Sequence, residues 1–425
     1  MKVFKFGGAS VKDAEAVRNM ANIVGSFNDK IGVIVSAMGK TTNALEIVVD
    51  TLWNSDEKGF INKVEEIRDF HFSIMKDLFQ NTNHEIFEEI ENEFEILKNR
   101  FDESSRQKFD FEYDQIVSAG ETLSTKIVAS FLKERGINAA WIDARSLVRT
   151  DENYREAEVD WEVTETLYKT VFVPRLETCD VIITQGFTGH TKDGKTTTLG
   201  REGSDYSAGI LAFCTNAEDV TIWKDVPGML NADPKWFDDT IKLDQISFKE
   251  AIELSYYGAS VIHPKTVKPL QNKNIPLYVK SFIQPNEPGT VIQASTEMDS
   301  LIPSFIFKMK QVLFSFTTKD FSFIVEKHLS DIFEKLASVQ AKINVMQNSA
   351  LNFSILLDEE KVNVEEIVTL FSKDYHVKFN LGLELITIRH YDAQTIERVT
   401  IEKKILLEQK TRETARLIVK QIENT

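Results

Sequence analysis

VIITQGFTGHTKDGKTTTLGREGSDYSAGILAFC, residues 181–214, is the stretch around which the chain is organised. Val181, Ile182, Ile183 and Thr184 read as a short buried strand, residues 186–203 as a long polar excursion, and from Ser204 onward apolar residues recur at helical spacing. A strand whose loop ends at a helix N-terminus builds an anion site. The unpaired N–H groups of the first helical turn and the positive end of the helix dipole face whatever the loop encloses. In this loop Arg201 offers a planar fork that grips a carboxylate through two parallel hydrogen bonds, and Asp205 offers an anion for an ammonium group. An arginine for a carboxylate and an aspartate for an amine make a recognition set for an amino acid. The alternative is a surface hairpin whose helix is capped by Ser204 or Asp205, with Arg201 in solvent.

Upstream, the same arrangement recurs. Val3 to Phe6 predicts a strand ending in Gly7-Gly8, followed by Ala9, Ser10 and Val11 and a helix with Ala16, Val17, Met20 and Ile23 on one side. Paired glycines at a strand-to-helix junction let the backbone approach a bulky anion, and Lys5 adjoins them. The glycine spacing is neither that of a P-loop nor that of a dinucleotide fingerprint. Residues 31–35, IGVIV, form a continuous apolar strand of the parallel-sheet kind, feeding the polar loop 36–43 and a further helix. Between 56 and 106, two long amphipathic patterns broken at Asn81-Thr82-Asn83 predict a helical hairpin, and a helical pattern from Tyr113 through Phe131 carries Glu121. A strand over 138–143 and a polar stretch over 151–162 lead back to the opening segment.

Downstream, the strand 220–223 runs into KDVPGMLNADPK, residues 224–235, where Pro-Gly and Asp-Pro mark a tight loop. Ser247 and Glu250 form a capping box opening a helix that stops at Gly258, and a helix over 266–272 precedes a strand over 277–282. His263 and the other histidines show no metal-ligand spacing, so no metal site is expected. Strand and helix alternate from residue 1 to 285, which predicts an α/β fold with one large, open, mostly parallel sheet between helices. Ligands bind such sheets beyond the carboxyl ends of the strands, where all these polar loops lie. Residues 286–309 read as a linker; 310–382 follow the order βαββαβ of a ferredoxin-like α+β unit, and 383–425 look like a second, shortened copy.

The chain's 425 residues suffice for two or three domains, and its net charge of −16 argues against nucleic acid or an anionic membrane as partner. Its cysteines, Cys179 and Cys214, are too few for a disulfide framework and sit in apolar segments. With no apolar signal region at Met1-Lys2-Val3-Phe4 and no run long enough to span a bilayer, a cytoplasmic protein is expected.

Taken together, Lys5-Phe6-Gly7-Gly8-Ala9-Ser10-Val11, Gly200-Arg201-Glu202-Gly203-Ser204-Asp205, Trp223-Lys224-Asp225-Val226-Pro227-Gly228 and the stretch 258–264 resemble aspartate kinase, of the amino-acid kinase superfamily, over nearly the whole chain. The C-terminal region is similar to paired ACT domains. The resemblance implies transfer of the γ-phosphoryl group of Mg·ATP to the side-chain carboxylate of L-aspartate, giving 4-phospho-L-aspartate, the entry to lysine, threonine and methionine synthesis. It makes Lys5 and Asp205 catalytic. It assigns Lys5, Gly7, Gly8, Ser10, Lys224, Asp225, Leu230 and Lys235 to ATP, and Thr42, Glu121, Arg201, Ser204 and Asp205 to aspartate. Mg²⁺ is expected on the ATP oxygens. The residue types suit this chemistry. A carboxylate nucleophile with a pKa of ~3.9 needs no general base, and cations with aligned N–H donors stabilise the moving phosphoryl group. The resemblance further implies an amino-acid effector, lysine or threonine, at the ACT-like units, and a homodimer or higher oligomer formed through exposed strands. Against the family pattern, Ala9 replaces threonine, Glu202 glycine, Leu230 tyrosine and Ser260 lysine, which bears on nucleotide affinity. The competing readings are another kinase of the superfamily and a non-catalytic amino-acid sensor; GREGSD counts against the first, and the Lys5, Arg201, Asp205 and Lys224 set against the second.

Overall fold

Buried β-branched and aromatic runs set the strands of the N-terminal part. The computed structural model describes residues 1–106, 108–259, 262–320 and 322–422; Ser260 lies outside them. The strands are β1 (Lys2–Phe6), β2 (Ile31–Val35), β3 (Ala139–Trp141), β4 (Val181–Gln185), β5 (Thr188–His190), β6 (Thr196–Thr198), β7 (Asp219–Lys224), β8 (Gln245–Ser247), β9 (Leu277–Ser281) and β10 (Thr290–Gln293). Between them run helices α1 (Ala14–Gly25), α2 (Thr41–Trp53), α3 (Glu57–Leu78), α4 (Glu85–Glu103), α5 (Phe109–Val117), α6 (Ala119–Glu134), α7 (Trp161–Leu167), α8 (Val173–Thr178), α9 (Gly203–Thr215), α10 (Phe248–Tyr257) and α11 (Pro264–Lys273). Eight strands form one sheet in the order β3-β4-β2-β1-β7-β9-β10-β8, parallel except where β10 meets β9. Every residue of β2 and β4 is buried, as strands covered by helices on both faces require. Phe4, Phe6 and Trp223 pack together in the core beside β1 and β7, with Phe6 and Trp223 stacked at 6.0 Å.

The α/β architecture agrees with the sequence reading, and three local differences have physical causes. The excursion 186–203 contains a two-stranded ladder, β5 with β6, in which the β-branched run Thr196–Thr198 pairs with Thr188–His190. The helix expected from Tyr113 onward is broken at Ser118 into α5 and α6. The three-residue β8 and the four-residue β10 are too brief to give a periodic signal.

The C-terminal part has β11 (Ser304–Thr318), α12 (Glu326–Ser338), β12 (Ile343–Asn348), β13 (Asn352–Asp358), α13 (Val364–Ser372), β14 (Tyr375–Arg389), α14 (Ala393–Thr400), β15 (Lys403–Lys410) and β16 (Thr414–Gln421). They form one antiparallel sheet in the order β12-β13-β11-β14-β16-β15. The expected boundaries are corrected here. The split at 382/383 falls inside β14, and residues 304–309, expected as linker, open β11, because these two strands of 15 residues pair along their whole lengths from Ser304–Arg389 to Thr318–Tyr375. The half that looked short in sequence therefore takes its missing strand from 304–308. Its separate core, around Phe305, Ile386, Ile388, Val399 and Leu417, is completed by Ala232 and Phe237. Accordingly the chain divides into a unit of 1–230, 242–256 and 260–299 and a unit of 231–241, 257–259 and 300–425, so that the first is not the simple span 1–285.

Candidate active site

Lys5 leaves β1 with only 8% of its surface exposed and points at the start of α9, where its Nζ lies 2.6 Å from Asp205 Oδ1. Lys224, at the end of the neighbouring β7, reaches within 3.6 Å of Asp205 Oδ2. Parallel pairing of Phe6 with Trp223 sets Gly7 level with Lys224, so both ammonium groups come to one helix end. Burial alone would raise the Asp205 carboxyl, but the charges of Lys5 and Lys224 outweigh it and hold it below its ordinary value. The triad carries two positive charges against one negative in a site where water screens little, and the first turn of α9 adds its unpaired N–H groups. An anion is what such a place attracts.

Gly7 and Gly8 connect β1 to a single 3₁₀ turn, Gly8–Val11. A side chain on Gly8 would come within 2.8 Å of the carbonyl oxygens of Ala37 and Gly39, so the β1 turn and the β2 turn touch backbone to backbone only because residue 8 is glycine. Ser10 is buried in the same turn. The β2 turn delivers Ser36 and, at the start of α2, Thr42 to a cleft of about 820 Å³. Lys5, Thr42, Glu121, Arg201, Ser204 and Asp205 all line it.

Glu121 enters from the first turn of α6 and is 3% exposed. Its Oε1 accepts the Ala37 N–H at 3.3 Å, and its Oε2 has no hydrogen-bond partner among the described residues. Burial pushes its pKa up to about 8, against the pull of that N–H and of Lys5. A buried carboxylic acid with one free oxygen facing a cleft is poised to receive a cationic group. Arg201 is exposed at the rim, and Glu202, in the left-handed conformation at φ 57°, turns the chain into α9.

The opposite wall escaped the sequence reading. Asp110 and Tyr113 of α5, the loop residues Arg155 and Glu156, and Phe187 also line the cleft. Arg155 stacks its guanidinium 4.5 Å above the Tyr113 ring and lies 3.1 Å from Asp110. The polarity of 151–162 was the only signal, and it did not single out these residues. Of the residues assigned to ATP, Asp225 is exposed in the turn after Lys224, and Leu230 is half-buried and bridges to Lys242. Lys235 is exposed in the 231–241 segment, which folds with the C-terminal unit because Phe237 stacks on Phe305 at 4.6 Å.

Among the described residues no group of three or more His, Cys, Asp or Glu side chains could hold a metal ion, and no helix is long and apolar enough to cross a membrane. Cys179 and Cys214 are buried free thiols.

A model of the amino acid kinase family matches residues 1–281. The lysine-sensitive aspartokinase 3 of Escherichia coli K12 is 33% identical over 358 residues, which cover 84% of this chain and 78% of that one. The structure of E. coli aspartokinase III in complex with lysine and aspartate, in the T-state, superposes with a TM-score of 0.84 at 28% identity, covering 100% of this chain and 96% of the other. That of the same enzyme with aspartate and ADP, in the R-state, gives a TM-score of 0.80 at 28% identity, covering 100% and 97%.

Proposed function

The chain belongs to the amino acid kinase family and within it to the aspartokinases, and from that premise we infer its reaction. It is an aspartate kinase, which transfers the γ-phosphoryl group of ATP to the side-chain carboxylate of L-aspartate and serves amino-acid biosynthesis. The observation that carries its assignment to this cleft is the triad of buried Lys5 and Asp205 with half-buried Lys224 at the N-terminus of α9, with Arg201 and Glu121 lining the same cleft.

The proposed roles follow from charge and position. Arg201 takes the α-carboxylate of aspartate in a bidentate grip, and the free oxygen of Glu121 receives its ammonium group. Ser204 and Thr42 hold the amino acid from the two sides of the cleft. The side-chain carboxylate, ionised at neutral pH, attacks the γ-phosphorus; a new P–O bond forms as the bond to the β-phosphate oxygen breaks, and ADP leaves. Lys5 stabilises the charge on the moving phosphoryl group, Asp205 fixes Lys5, and Gly7, Gly8 and Ser10 lend the close backbone approach that phosphates require. Lys224, Asp225 and Leu230, at and after the end of β7, take the nucleotide; Lys235 belongs to the 231–241 segment of the second unit. With Asp205 already paired to two lysines, the side chains suit Mg²⁺ that arrives on ATP oxygens and keeps most of its waters.

For the C-terminal unit, lysine is the effector we propose, because the E. coli relative is lysine-sensitive and has been seen with lysine bound. A homodimer formed through the C-terminal sheets and a cytoplasmic location complete the reading. The test is ADP release from Mg·ATP with L-aspartate, with L-glutamate and with no acceptor, repeated with lysine and with threonine. Aspartate-dependent release with inhibition by lysine is expected. Equal release with glutamate would overturn the substrate, and inhibition by threonine alone would overturn the effector.

A further inference from the structure

Four hydrogen-bond contacts converge on a carboxylate that does not itself line the cleft. Asp114, in α5, is 0% exposed. Its Oδ1 accepts the hydroxyl of Thr198 at 2.6 Å and its Oδ2 the Thr198 N–H at 2.9 Å, while the Arg155 N–H lies 3.0 Å from Oδ2 and 3.2 Å from Oδ1. Arg155 adopts a left-handed φ of 69°, a conformation costly for a residue with a Cβ, at the point where its N–H meets Asp114. Thr198 ends β6, three residues before Arg201. The two stretches also touch directly: the Ala157 N–H donates to the Thr198 carbonyl at 3.0 Å, and a side chain on Gly200, itself at φ 78°, would come within 3.0 Å of the Arg155 carbonyl oxygen.

We propose that Asp114 is a positioning residue for aspartate: its carboxylate clasps the 153–157 loop to the 198–201 turn and so fixes Arg201 and Arg155 at the mouth of the cleft. This rests on the assignment of the Arg201 side to the amino-acid substrate. Every group that faces Asp114 here is a donor, and only an ionised carboxyl is acceptor at both oxygens. Burial pushes its pKa up to about 6, opposed by those bonds, so the clasp is complete at neutral pH. An apolar residue would fill the space without this cost; what it could not do is hold two loops in register.

The experiment compares Asp114→Asn, Thr198→Val and Arg201→Ala with the wild type by KM for aspartate, KM for ATP, kcat and melting temperature. Asp114→Asn keeps the shape but turns an amide N–H toward a donor. Its aspartate KM is expected to rise about tenfold or more, with the ATP KM and kcat within about twofold. Thr198→Val, which leaves the backbone bond, moves aspartate KM the same way by less and decides the question should Asp114→Asn not fold. An unchanged aspartate KM in the folded variants, or equal rises in both KM values, overturns the clasp. If Arg201→Ala leaves aspartate KM unchanged, the substrate assignment itself falls, and the clasp with it; if only the clasp variants are silent, the assignment stands.

Discussion

Glu121 brings a buried carboxyl to the same cleft as Lys5. Glu121, held near pKa 8 by burial, is largely protonated at pH 7, yet it must be ionised to pair with the ammonium of aspartate. Binding therefore releases a proton, and aspartate affinity rises with pH until about 8. Calorimetry in buffers of different ionisation enthalpy should count about one proton released at pH 7, and none for Glu121→Gln. Lys5→Met should cut turnover by about 10²-fold or more while the fold survives, since Lys224 still faces Asp205. Near-normal turnover in that variant would remove Lys5 from the mechanism. Both residues were legible as candidates, Lys5 from the glycine pair beside it and Glu121 only through family resemblance. Asp114 was not, because a single acid in a helical pattern reads as a solvated face until the loops that converge on it are known.

Among the elements, the helical hairpin of α3 and α4 was plain from its apolar stripes, and it hides a titrating group. His71 in α3 is 0% exposed, its Nδ1–H bonds the Ile67 carbonyl at 2.7 Å, its Nε2 has no partner among the described residues, and Phe70 and Phe94 flank it. Burial lowers its pKa from 6.5 to about 4, so between those values the unfolded chain takes up a proton that the folded chain refuses. Stability is unaffected above pH 6.5 and falls as pH drops toward 4, by up to about 3 kcal/mol. Urea unfolding of His71→Leu against the wild type at pH 7 and pH 4.5 should show a flatter pH profile in the variant; parallel profiles would exclude His71 as the source. The β14 strand is the converse case. Its pattern was visible in two pieces, 377–379 and 383–388, but the bulged middle, with register shifts opposite Lys308 and Gln311 and a left-handed Gly382, hid their continuity.

For the whole molecule, the strand–helix alternation was enough to give an α/β catalytic part followed by an α+β part, since each depends on periodicity that the chain displays locally. Which loop joins which core is a long-range matter, and the sequence carried no sign that 231–241 packs under β14 and β16. The C-terminal sheet ends in the edge strands β12 and β15, and Phe323, Met346 and Phe379 in that unit are exposed. Met346 lies on β12 itself, and an exposed apolar side chain on an edge strand predicts self-association. Sedimentation at micromolar concentration should give a dimer or larger, and Met346→Lys should shift it toward monomer. A strictly monomeric wild type would rule out the pairing.

Phe237 also limits how the gene can be edited. A catalytic fragment ending near residue 299 would keep 231–241 but lose Phe305, on which Phe237 stacks, and Arg398, which pairs with Asp239 at 2.7 Å. A buried aromatic would become a bare one in the middle of a loop that begins just after Leu230. Such a fragment should precipitate on expression, so the role of the C-terminal sheet is better probed by changing its side chains than by cutting it away.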